Sequence, residues 1–77
     1  MSATDDFREV LRVTRADETR IYKIRPGSVG AELWRFSEVP GEPAQSIKEC
    51  DLTDPAEALD FLEEIQRTLK AGGWREV

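Results

Sequence analysis

Two periodicities divide the chain. In its last third, Ala58, Leu59, Phe61, Leu62, Ile65 and Leu69 recur at helical spacing as one apolar stripe. Asp60, Glu63, Glu64, Gln66, Arg67 and Lys70 fill the opposite side. Asp54 stands where an N-cap is needed, Pro55 follows at the first helical position, and Glu57 completes a capping-box spacing. Acid early and base late suit the macrodipole. Gly72 and Gly73 end the pattern, with Gly72 placed for a left-handed cap. The spacing predicts a helix from Pro55 to Ala71, about 25 Å long. A helix with one oily face needs a surface to lie on.

The first two-thirds supply it by alternation. Phe7 to Arg15, Thr19 to Arg25, Ala31 to Ser37 and the weaker Gln45 to Cys50 carry β-branched and aromatic residues among charges. Ala16-Asp17-Glu18 marks a turn, Pro26-Gly27-Ser28 breaks the second run, and Val39 to Ala44 is a loop with two prolines. Short loops favour antiparallel neighbours. The expected fold is α+β: a four-stranded antiparallel sheet, ββββα, with the helix across one face. The domain spans 7–75, and Met1 to Asp6, small and acidic, reads as a frayed tail. Four strands make a sheet about 19 Å wide, and one helix is about 10 Å across. About half the sheet face stays uncovered, which is the physical reason to expect a homodimer.

Placing Arg15 opposite Glu18 sets Leu11 against Tyr22 and Val13 against Arg20 on the helix side. Arg8, Val10, Arg12, Ile21, Lys23 and Arg25 then take the open side. In the third run Trp34 and Phe36 are the bulkier pair and are assigned to the helix side, which sends Leu33 and Arg35 outward. In the fourth, Ile47 goes inward and Lys48 outward. The open face so built holds Arg8, Arg12, Lys23, Arg25, Arg35 and Lys48 with no acid among them. A one-residue slip reverses a strand and would bring Trp34 and Phe36 to that face instead.

Composition narrows the function classes. The 77 residues make one domain with a thin core. Hydrophobic content is 39% and charged content 35%, a globular balance. The net charge of −5 argues against a surface basic all over, though not against a local basic patch. One Cys, Cys50, allows no intrachain disulfide and reads as a small buried hydrophobe. No long apolar run and no signal-peptide layout occur, so a cytoplasmic protein with no membrane partner is expected. The chain has no His, which removes the commonest general base and the commonest nitrogen ligand. One Cys cannot build a zinc site, and the glycines around Val29 lack a phosphate-binding spacing. A non-enzymatic protein without cofactor or metal is the expectation.

Strand, strand, strand, strand, helix is also the order of the Pur-alpha repeat, the Whirly proteins and the positive-cofactor-four-type coactivators. Phe7 to Leu69 resembles them in element order, most of all in I-Y-K-I-R-P-G-S-V-G-A-E-L-W-R-F-S-E. The chain departs from them in being acidic overall. The resemblance implies a dimer that binds single-stranded DNA or RNA. It implies Arg12, Lys23, Arg25 and Arg35 as phosphate contacts, with Tyr22, Trp34 and Phe36 as stacking residues. Arg8 and Lys48 join the set through the sorting of the faces. Two plainer readings stand beside it. Charged strand faces are ordinary, and cross-strand ion pairs can consume the cations. Large aromatics dominate small cores, and on that reading Trp34 and Phe36 are core residues under the helix. The competing function is a protein-interaction or homodimerisation module using the uncovered sheet surface.

Overall fold

The computed structural model describes residues 7–77, so the tail expected at 1–6 lies outside the described residues. The elements are β1 (Arg8–Arg15), β2 (Glu18–Gly27), β3 (Gly30–Glu38), β4 (Gln45–Leu52), α1 (Pro55–Ala71) and β5 (Arg75–Glu76). The α+β class and the antiparallel sheet match the sequence reading. The sheet has a fifth member, and its order is β4-β3-β2-β1-β5. Two residues are too few to show a strand period, which is why β5 was not foreseen.

The β1–β2 hairpin turns at Ala16-Asp17, and Leu11 faces Tyr22 and Val13 faces Arg20 as expected. Pro26 and Gly27 do not break β2. They stay paired with Ala31 and Gly30, and Ser28-Val29 makes the turn. Gly30 is needed there: its φ is +135°, and a Cβ would stand 2.5 Å from the Leu52 carbonyl oxygen.

Helix α1 has the expected bounds. Asp54 accepts a hydrogen bond from the Ala56 N–H at 2.9 Å, and Pro55 opens the first turn. The C-terminal cap differs by one residue from the expectation. Gly72 has φ −86°, and Gly73, at +89°, takes the left-handed conformation. The Trp74 N–H reaches back to the Leu69 carbonyl at 2.9 Å and the Gly73 N–H to that of Lys70 at 3.1 Å, a Schellman closure. That closure turns the Trp74 indole into the core, where it packs with Leu11, Val13, Tyr22, Leu33, Leu52 and Leu69.

Two bulges reset the faces. One sits at Val10 in β1: Glu9 pairs with Lys23, but Leu11 pairs with Tyr22. Val10 packs against the core, Arg8 moves to the helix side opposite Ile24, and Glu9 moves to the open side. The other sits at Glu49 in β4, between Leu33–Cys50 and Trp34–Lys48. In β3 the parity is the reverse of the bulk-based assignment. Leu33 pairs with Ile24 and is fully buried, whereas Trp34 pairs with Lys23 and Phe36 with Ile21 on the open side. A sheet-centre position beneath a helix admits a compact Leu, and both large rings go to the face with no helix over it.

Candidate functional site

The open face is built by alternate residues of the five strands. The register places Glu9, Arg12 and Thr14 from β1 with Thr19, Ile21, Lys23 and Arg25 from β2. Glu32, Trp34, Phe36 and Glu38 come from β3, and Ser46, Lys48 and Asp51 from β4. Arg75 of β5, opposite Thr14, joins them. At its centre is an aromatic cluster. Phe7, just before β1, meets Phe36 at 5.3 Å and Trp34 at 6.0 Å, both nearly edge to face. Arg25 lies over Phe7 at 5.0 Å and over Trp34 at 4.9 Å, and Lys23 lies over Phe36 at 4.9 Å. Ile21 is buried beneath this layer although it lies away from the main core.

Glu32 organises the charges. Its Oε1 accepts from Arg25 Nε and from Trp34 Nε1, each at 2.9 Å. Its Oε2 lies 3.8 Å from Lys48 Nζ, which is itself held at 2.9 Å by Asp51. The Trp34 indole, then Arg25, holds the Glu32 carboxyl below its ordinary pKa. Asp51 raises that of Lys48. At the β1 end Arg12 donates to Glu9 at 2.8 Å, which lowers the Glu9 pKa. Arg12, Arg25 and Lys48 are therefore each spoken for, while Lys23 and Arg75 have no ion pair among the described residues.

The structure thus redistributes the residues named from sequence. Arg12, Lys23, Arg25 and Lys48 are on the open face as expected. Arg8 leaves it because of the Val10 bulge, and Arg35 leaves it because β3 has the other parity. Arg35 lies on the helix side 3.5 Å from Glu49. Tyr22 is buried under the helix and offers no ring to a ligand on the open face. Trp34 and Phe36 come to the face on which the cations stand. Phe7 and Arg75 belong there too: the sequence reading puts Phe7 at the start of the first run without giving it a face, and Arg75 rides on β5, which is too short to show a period. The face is not free of acid: Glu9, Glu32, Glu38 and Asp51 nearly balance its cations.

The opposite side has a gap of its own. Helix α1 starts beside Leu52 at the β4 edge and ends over β1 and β5, where Gln66 donates to Glu76 at 2.8 Å. It leaves a groove of about 270 Å³ floored by Arg20 and Tyr22 and walled by Phe61, Glu64 and Ile65. Beside it Arg35, Ser37 and Ile47 line a second hollow. Among the described residues, no group of His, Cys, Asp and Glu is arranged to hold a metal ion, and no helix is long and apolar enough to cross a membrane. Burial and the flanking Glu49 and Asp51 push the Cys50 thiol up, away from the reactive thiolate.

Comparison with protein-family models, with curated proteins and with solved structures gives no match.

Proposed function

We propose that the chain is a non-enzymatic binding module whose open sheet face takes single-stranded nucleic acid, held mainly by base stacking. The observation that carries this reading is the sharing of one face by Trp34, Phe36 and Phe7 with Lys23 and Arg25. Single strands are bound by such rings set among cations, because every base has a π-face to offer. The balanced charges change the kind of binding expected. Counterion release scales with the phosphates neutralised, and among the described residues Lys23 and Arg75 are the face's cations outside ion pairs. Salt should therefore matter less than for a basic groove.

The test is a titration of a fluorescent oligothymidine of about 12 nucleotides, a length within the site sizes of such faces. Binding should weaken only about three- to sevenfold between 50 and 200 mM salt, for one or two phosphates neutralised. Trp34→Ala should weaken it about 10- to 100-fold, the worth of one stacked base. Absence of binding at low salt, or a Trp34→Ala variant that binds unchanged, removes the reading.

A second reading, a protein-contact or homodimer module, is favoured by a different observation on the other side of the sheet. Ile47 is 51% exposed beside the groove, whose wall is the flank of Phe61 and Ile65. The two readings use opposite faces and are compatible.

A further inference from the structure

Glu32 stands out on the open face as an acid where a phosphate-binding surface has no use for one. Its carboxylate is 16% exposed and ionised at neutral pH, so it accepts hydrogen bonds and donates none. Arg25 and Trp34 both bond to Oε1. Oε2 has no hydrogen bond from the described residues, and its nearest cation, Lys48, is 3.8 Å away and engaged by Asp51. Oε2 is not among the fully enclosed atoms without a partner, and the side chain as a whole keeps 16% exposure. Its position is fixed from below as well. The Glu32 side chain lies across Gly27, where a Cβ would come within 2.7 Å of its Cγ.

This free acceptor sits at the edge of the stacking surface. The indole N–H of Trp34 points at the carboxylate, so the carboxylate flanks the ring. The Arg25 guanidinium on that ring is tied to the same oxygen. A base stacked on Trp34, or on the guanidinium above it, brings its own edge towards Oε2. Cytosine presents an exocyclic amino group there, a donor that carboxylates take up. Thymine presents a carbonyl oxygen at the same position, which a carboxylate repels.

We infer that Glu32 is a specificity-determining residue that makes the open face prefer an unpaired base with an exocyclic amino group, as in cytosine, over thymine. The inference rests on the nucleic-acid reading above. The two are separated by titrating oligodeoxycytidine and oligothymidine of equal length at pH 7 and low salt. The expected preference for oligodeoxycytidine is about tenfold or more, the effect of one hydrogen bond to a charged acceptor. In Glu32→Gln, Arg25 and Trp34 hold the amide oxygen and leave the NH₂ in the Oε2 position. That variant should lose the preference or reverse it towards thymine, with its overall affinity changed less than the ratio. A merely structural role for Glu32 would alter both affinities alike. Equal binding of the two oligomers by the unaltered protein overturns the inference and leaves the stacking reading standing. No binding of either oligomer removes both. Should Glu32→Gln fail to fold by circular dichroism, the comparison on the unaltered protein still decides.

Discussion

At the residue scale, the chemistry concentrates in one carboxylate. Glu32 accepts from an indole and a guanidinium and lies 3.8 Å from Lys48, so it links β2, β3 and β4 on the face away from the helix. Its pKa and that of Glu9 are lowered in the folded chain. A depressed carboxyl pKa means that the unfolded chain binds more protons in acid than the folded one does. The stability these groups contribute is present above the ordinary glutamate pKa of about 4.3 and is lost as pH falls through their folded values. The thermal midpoint should fall between about pH 5 and pH 3, and fall less in Glu32→Gln, which has no charge to lose there. Parallel pH profiles for the two proteins would show that Glu32 is not among the groups responsible. The sequence named Arg25 and Lys48 but not their acid. Glu32 lies one residue from Leu33, and without the parity of β3 nothing told whether it faced solvent beyond the helix or the cations.

At the element scale, local signals and long-range fit divided the work. Caps and periodicity defined α1, because they depend on residues within a few positions of each other. The parity of β3 did not follow from its own residues, since Leu33 competes with Trp34 and Phe36 for the inward face. Pairing with β2 and the helix overhead settled it. The same holds for Trp74, whose role depends on the Gly73 turn and on β5. There it is buried at 5% exposure, with Arg15 and Arg20 at 4.7 and 4.5 Å from its ring. Arg15 also donates to the Gly72 carbonyl at 3.0 Å, which closes the corner. Trp74→Ala should cost about 3–5 kcal/mol, typical of an aromatic removed from a core. Natural domains have only about 5–15 kcal/mol in all, so urea unfolding followed by circular dichroism should begin almost at zero denaturant. A loss below about 1 kcal/mol would place Trp74 outside the cooperative core, since a buried aromatic is worth several times that.

At the scale of the whole molecule, the protein is a thin plate of 35 × 31 × 17 Å. Five strands span about 24 Å and one helix covers about 10 Å of that, so a single helix cannot close its side of the sheet. Leu69 is the one buried residue of α1, and Leu59 remains 66% exposed. The homodimer reading follows from that mismatch and is checked by sedimentation velocity. The protein should run as a dimer, and Ile47→Asp should run as a monomer. A monomer at every concentration would return the groove to solvent. The edge of β4 is a less suitable contact, because its Glu49 bulge and its Lys48 and Asp51 charges hinder strand addition.

By itself the sequence determined what short-range order determines. It defined one helix with its start, four strands, the first hairpin's register from Leu11 to Arg15, an α+β class and a chain without histidine. Each of those rests on spacing within a segment or on composition. The tertiary structure decided which side every strand residue faces, because two single-residue bulges and the pairing of β3 act across the sheet. It therefore decided the candidate site as well. Trp34 and Phe36 came out to meet Lys23 and Arg25, Tyr22 went under the helix, Arg8 and Arg35 went to the other side, and Glu32 arrived among the cations. Alternation has a period of two, so one inserted residue exchanges core for surface, and only the partner strand records where that insertion lies.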